Sequence, residues 1–455
     1  MSVRRLSAAL LLAAATAAAG SAARAASVSE WVERLAASTT VDVRGEQLLT
    51  APLVIPPHAR LRGPAVFRAA PQARLDHLVE LREGATLDGI ELDGTGLAEP
   101  LANWTEQTGV PRGVGVLIVG TTGEPVRGAR VLRCRFTNFP GGGIFARHTV
   151  DVLLDGLQAE HMQRAAPQET CAVFAFYDSR TPQIIGCSIV DYRWKGFYFK
   201  YCTGALARDT FAVDGPADHA SHYARFSEDV TFRGGGATNG FGVKTFGSTR
   251  VRVEGMAFLR APTGVFIDAT SDADIVRNRI TDSARQGVIV GSEEGYPPSR
   301  AVRVRENTIV TTHDDATPNS SGIQLVALET HHPVADVEIS HNEISGYLWG
   351  ISFLPGGGLR YYDVRIEDNR LEALRQYGVV GPVDRLVLRH NRIELEGPLA
   401  QNFVAVWPTT PAESAIELTA NIWLGARDFG LKLGGADGEF SRVILEDNRY
   451  ALPRP

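Results

Sequence analysis

The stretch VRENTIV (304–310) and its successors ISHNEIS (339–345), IEDNRLE (366–372) and LRHNRIE (388–394) repeat one local pattern, an Asn set between apolar residues. The Asn occurs seven times running, at Asn278, Asn307, Asn342, Asn369, Asn391, Asn421 and Asn448. Upstream, the same position is read as Asp88, Cys134, Asp155, Cys187, Asp209 and Glu254, which makes thirteen positions in one column. Most steps between them are 21 to 35 residues, the length of one coil of a solenoid. Stacked coils repeat about every 4.8 Å, so equal positions lie above one another. An Asn at such a bend tolerates left-handed backbone geometry and bonds the backbone or the Asn of the next coil.

A second signal runs in register with the first. A short strand, usually opened by Gly, follows each column residue: Gly143 to Arg147, Gly196 to Lys200, Gly240 to Lys244, Gly264 to Asp268, Gly287 to Gly291, Gly322 to Val326 and Gly350 to Leu354. Period-two alternation turns the second and fourth residues inward and the third and fifth toward solvent. Together the two signals predict an all-β chain, a single right-handed parallel β-helix of twelve to thirteen coils. From about Val41 onward the chain resembles the pectin-lyase-like superfamily of β-helices. The resemblance implies that fold, and it brings in polysaccharide lyases with Lys or Arg bases and, in some, calcium. No motif of those families carries a catalytic residue over: the WIDH-type strand, an ordered aspartate cluster, the paired Asp with GHG and DPGGD are all missing.

The ends and the composition bound the rest. Arg4 and Arg5 precede an apolar run, and Ala23-Arg24-Ala25 supplies a small-residue cleavage pattern, so 1–25 reads as a Sec or Tat signal peptide and the protein as periplasmic or secreted. Residues 26–455 form the β-helix domain, with a capping helix at about 28–37 whose Trp31, Val32 and Leu35 share a face. No later segment reads as a membrane span. A net charge of −6 without a basic stripe argues against nucleic acid as a partner. Cys134, Cys171, Cys187 and Cys202 match no zinc spacing and read as buried small hydrophobes, with a disulfide left open. The assembly is read as a monomer or a homotrimer.

Four connections between column and strand are long: Asp88 to Gly113, Asp155 to Cys171, Asp209 to Gly240 and Asn307 to Gly322. They leave one corner of the coil and are expected to wall one side of the sheet, where loops on a rigid scaffold carry function. The fifth strand positions read Arg147, Ala175, Lys200, Lys244, Asp268, Gly291, Val326 and Leu354, so charge is confined to the middle coils. The chain has only four lysines, and Lys195, Lys200 and Lys244 fall within 50 residues. On adjacent coils Lys200 and Lys244 would repel, lowering one toward the range of a proton-abstracting base.

The catalytic candidates are therefore Lys200, Lys244, Asp268 and Tyr198. Arg147, Arg193, Lys195, Tyr177, His222, Tyr223 and Arg225 are the candidate contacts to an extracellular acidic polysaccharide. Cations would neutralise a uronate carboxylate, a Lys or Tyr would take the acidified C5 proton, and β-elimination would follow. Calcium is the one cofactor the resemblance brings. In the bland reading, Lys244 and Asp268 form an ordinary cross-strand ion pair. An inverting hydrolase or fructotransferase would pair Asp268 with Asp214, Asp178 or Glu293 across the groove. A non-catalytic glycan-binding or structural β-helix is the third reading. His219 and His222 read as loop histidines. Tyr177, Tyr198, Tyr201 and Trp194 either stack on sugar rings or cover exposed sheet.

Overall fold

The computed structural model describes residues 28–451 except 102–103, 105–108, 164–171, 293–294, 313–319, 328–332, 355–359, 426–429 and 436–437. The expected signal segment lies outside the described residues. Helix α1 (Val28–Ala37) comes first. Its Leu35 side chain is buried in the main core, so the helix covers the N-terminal end of that core. None of the described helices is long and apolar enough to cross a membrane.

Almost everything after α1 is strand, wound as a parallel β-helix of about 14 turns. One face is a 15-stranded parallel sheet, most other strands form a 28-stranded parallel arrangement, and Val126–Arg127 pairs with Thr149–Val150 apart from both. Apolar side chains fill the interior as columns, such as Phe176 stacked on Phe199 with ring centroids 6.0 Å apart. The glycines that open the strands have a steric reason. A Cβ on Gly264 would stand 2.7 Å from the Gly287 carbonyl oxygen, and one on Gly287 2.6 Å from that of Gly322.

The C-terminal Asn ladder is continuous. Each Asn Oδ1 accepts the backbone N–H and the side-chain N–H of the Asn one coil before it, from Asn278 to Asn448, at 2.9–3.1 Å. The left-handed residue, however, is the one before each Asn. Arg277, Glu306, His341, Asp368, His390, Ala420 and Asp447 have φ between 52° and 56°. In the early coils Gly89, Gly156, Gly186, Gly234 and Gly255 hold that left-handed place.

This register corrects the early half of the column. Asn278 Oδ1 accepts the N–H of Met256, not a contact from Glu254. Strand pairing then puts Ile90, Cys134, Leu157, Cys187, Thr210 and Gly235 in line below Met256. Asp88, Asp155 and Glu254 sit two residues too early and Asp209 one. Asp88 and Glu254 are ion-paired instead, Asp88 to Arg133 at 2.5 Å and Glu254 to Arg252 at 2.9 Å. The Asp209-to-Gly240 stretch is a further coil rather than an insertion, with strands Leu206–Val213, Ala220–Arg225 and Glu228–Thr238. Its ladder place falls on Gly235, which has no side chain to mark it. Cys134, Cys187 and Cys202 are buried and unbridged, and burial pushes their thiols up to about 12. Cys171 lies outside the described residues.

Candidate functional site

Six successive strands of the 15-stranded sheet carry the candidate residues: β1 (Gly142–Arg147), β2 (Phe174–Tyr177), β3 (Phe197–Lys200), β4 (Ala220–Arg225), β5 (Phe241–Phe246) and β6 (Thr263–Asp268). Their register sets two outward rows. One runs Phe145, Ala175, Tyr198, Tyr223, Lys244, Phe266; the next runs Arg147, Tyr177, Lys200, Arg225, Phe246, Asp268.

Two expectations fail on this register. Ala175 is not in the Arg147 row; Tyr177 is. Lys200 and Lys244 are not on adjacent coils, because β4 lies between them and Lys244 falls in the Tyr198 row. Arg225 is the neighbour of Lys200, and Tyr223 the neighbour of Lys244. The mutual repulsion expected of the two lysines therefore has no geometric basis. Lys244 Nζ reaches diagonally to Asp268 Oδ2 at 3.5 Å.

The outward rows do not face open solvent as alternation alone predicts. Tyr198 is 1% exposed, Lys200 6% and Asp268 3%. A second apolar layer lies outside the coil here, built on Phe145, Tyr177, Tyr198, Tyr223 and Phe246. Its rings pass from Phe145 to Tyr177 (5.0 Å), Tyr198 (5.5 Å) and Tyr223 (5.2 Å). Trp104, from the first long connection, packs edge-on against Phe145 at 6.3 Å and donates its indole N–H to the Gly109 carbonyl. Trp104 of that connection thus covers the sheet at Phe145. Residues 164–171 and 313–319 of two others, with Arg164, Glu169, His313, Asp314 and Asp315, lie outside the described residues, as do Glu106 and Glu293.

Cations are set into this aromatic layer. Lys195 Nζ lies 5.4 Å from the Tyr198 ring centroid and 6.0 Å from that of Tyr223. Lys200 Nζ lies 5.0 Å from Tyr201, and Lys244 Nζ 4.9 Å from Phe266. The Arg225 guanidinium sits 5.1 Å from Phe226. Arg147 donates to Asp178 at 3.1 Å, and Arg193 is exposed. Such a floor holds cations where water is scarce, which strengthens their pull on an anion.

His222 is a correction. It is on strand β4 and points into the coil, fully buried, with Nε2 2.9 Å from Thr210 Oγ1 and its ring stacked on Phe197. Burial pushes its pKa down to about 3, so it stays neutral and takes no part in the outer face. His219 packs on Trp194 at 4.7 Å, and no metal-binding cluster forms among the described residues. The sequence offered Tyr177 and Tyr198 as cover for exposed sheet, but not the whole layer with Phe145, Tyr223 and Phe246. The signal available was the density of Phe and Tyr at the third and fifth strand positions of 145–246, places that elsewhere hold Ile289, Gly291, Gln324 and Val326.

Of the expected hydrolase pairs, the two whose residues are both described do not come together. Asp178 directly follows β2 and Asp268 ends β6, four strand spacings or about 19 Å apart, against roughly 6.5–9.5 Å for an inverting pair. Asp214 stands at the opposite corner, where it accepts from Asn239 at 2.7 Å.

No protein-family model matches the chain, and no curated protein matches it. Solved structures do. The tailspike protein of E. coli bacteriophage HK620, in complex with a pentasaccharide, superposes with a TM-score of 0.53 at 9% identity, over 92% of this chain and 74% of that one. The likeness is to the parallel β-helix fold. A hyperthermoactive exopolygalacturonase from Thermotoga maritima aligns at 11% identity and TM-score 0.47, over 87% of each chain. The A-module of a mannuronan C-5 epimerase from Azotobacter vinelandii aligns at 13% and 0.45, over 94% of this chain and 95% of that one. At these identities the likeness is one of fold.

Proposed function

We propose that this pectin-lyase-like β-helix is an exported protein that binds an acidic polysaccharide along β1 to β6 and cleaves it by β-elimination. One observation carries the reading: Arg147, Lys195, Lys200, Arg225 and Lys244 converge on a single outer face whose floor is aromatic and largely dry. That face suits a ligand with carboxylates spaced along a chain of rings, since cations answer the carboxylates and tyrosines the rings. The HK620 tailspike, whose fold this chain shares, is solved in complex with a pentasaccharide, which agrees with a sugar ligand.

In the proposed reaction, Arg147, Arg193, Lys195 and Arg225 neutralise the uronate carboxylate. Lys200 and Tyr198, side by side on neighbouring rows, are the proton-transfer groups. One takes the C5 proton, the C4–O4 bond breaks, a C4–C5 double bond forms, and the departing oxygen takes up a proton. Lys244, anchored by Asp268, and Tyr177 and Tyr223 shape the floor.

The test is incubation of the full chain with a panel of uronate polymers, following the ultraviolet absorbance of the conjugated product. New absorbance that is lost in Lys200→Met supports elimination. New reducing ends without absorbance replace it with hydrolysis, and binding without any product leaves a glycan-binding β-helix.

A further inference from the structure

We propose that Tyr201 and Phe226 form a stacking shelf for a pyranose ring at the edge of this groove; the inference rests on the polysaccharide reading above and adds a subsite to it. The two residues directly follow Lys200 and Arg225, at the corner where the chain leaves the sheet. On the six coils of β1 to β6 the residue at that corner has positive φ: His148 (50°), Asp178 (48°), Tyr201 (54°), Phe226 (50°), Gly247 (57°) and Ala269 (45°). A left-handed corner suits Gly, Asn or Asp, and a bulky ring there stores backbone strain. Two aromatic residues on consecutive coils at such a corner are the least expected choice, and strain of this kind gathers at ligand clamps.

The rings are arranged for contact with something outside the coil. Their centroids are 5.5 Å apart with planes 14° from parallel. Phe226 is backed by Tyr296 at 5.9 Å, and Tyr296 in turn rests on Phe246 at 4.6 Å. Tyr201, the outer ring of the stack, is 50% exposed. The next coil makes room for the pair, because a Cβ on Gly247 would stand 2.5 Å from Phe226 Cδ1. A cation accompanies each ring, Lys200 at 5.0 Å and Arg225 at 5.1 Å. A sugar lying with its C–H face on Tyr201 would therefore bring an equatorial carboxylate toward Lys200. A ring serving only to cover the scaffold would be expected on the sheet and buried, as Phe145 is.

The test is calorimetric titration of the full chain with alginate oligosaccharides and with polygalacturonate oligosaccharides. Tyr201→Phe, Tyr201→Ala, Tyr201→Gly and Arg147→Ala are compared with the wild type, and each is melted in parallel. Tyr201→Phe keeps the ring and is expected to bind as the wild type. Tyr201→Ala and Tyr201→Gly are expected to bind about tenfold more weakly, the scale of one aromatic contact. Tyr201→Gly relieves the corner, so its melting temperature is expected to hold or rise while binding falls, which a purely structural ring would not produce. If Arg147→Ala weakens binding and neither Tyr201→Ala nor Tyr201→Gly does, the shelf is wrong and the polysaccharide reading stands. If the wild type binds neither probe, both fall together.

Discussion

Lys244 Nζ and Asp268 Oδ2 meet at 3.5 Å on a diagonal between adjacent strands, with the carboxylate side chain 5% exposed and the ammonium side chain 27% exposed. The pair is more than an exposed surface bridge, because removing Lys244 leaves a buried carboxylate without this cation. Lys244→Met is expected to lower stability by about 1–3 kcal/mol in denaturant unfolding, and Asp268→Asn by less, since the ammonium left behind can still reach water. If Lys244 serves as an anchored part of the floor rather than as the base, Lys244→Met retains measurable turnover of any uronate polymer the protein cleaves, whereas Lys200→Met abolishes it. Equal loss in both variants would contradict the assignment.

The repeat was legible because a β-helix stacks like on like, so a single coil's choice of Asn is written again at each turn. It was misread where the chemistry of the column changes. In LDGI, LDGL and VEGM the charged residue looked like the ladder residue, but the Gly after it fills the left-handed place, and the ladder position is the apolar residue beyond, Ile90, Leu157 or Met256. The coil ending at Gly235 had no marker. Missing it placed Lys200 beside Lys244 and put His222 and Tyr223 in a loop. Arg147, Lys195, Lys200, Arg225 and Asp268 share one face, and the expected pairing of Lys244 with Asp268 is present, while the expected adjacency of Lys200 and Lys244 is not. Adjacency depends on register, and one unmarked coil separates the residues on either side of it.

Asn342 tests the ladder. Its Oδ1 accepts from the Asn307 backbone at 3.0 Å and side chain at 2.9 Å, while its Nδ2 donates to the Val304 carbonyl at 2.8 Å and Asn369 Oδ1 at 3.0 Å. Asn342→Ala leaves several buried groups unmatched and is expected to cost about 2–4 kcal/mol. Asn448→Ala, at the half-buried last rung, is expected to cost less than half of that, because water can replace the lost partners. Equal costs from the two denaturation curves would mean that burial does not set the value of a rung.

The left-handed column separates strain from packing. A Cβ on Gly255, at φ 61°, would meet nothing within 4 Å, so Gly255→Ala carries only the conformational penalty. The expected loss is about 1 kcal/mol. Ala420 occupies the equivalent place at φ 54°, and Ala420→Gly is expected to be neutral or to stabilise by a few tenths of a kcal/mol, strain relief being partly offset by the looser unfolded chain. Opposite signs for the two changes, read from paired melting curves, would show that this corner is chosen for backbone geometry; matching losses would contradict it.

Glu254 sets an acid limit. Its carboxylate accepts from Arg252 at 2.9 Å and Arg233 at 3.1 Å and also pairs with Arg277. The Arg252 hydrogen bond is the largest influence holding its pKa down, to about 2 from an ordinary 4.5. A carboxylate with a depressed folded pKa contributes stability that is complete above the unfolded value and is lost as pH falls through the folded one. The contribution is therefore full above about 4.5 and disappears toward about 2. Glu254→Gln removes it at every pH, so the variant is expected to be less stable than the wild type at neutral pH, with the difference closing as pH falls through that window. Denaturant unfolding at a series of pH values measures both curves. A gap that stayed constant down to the acid end would mean that the arginines stabilise position 254 without regard to its charge.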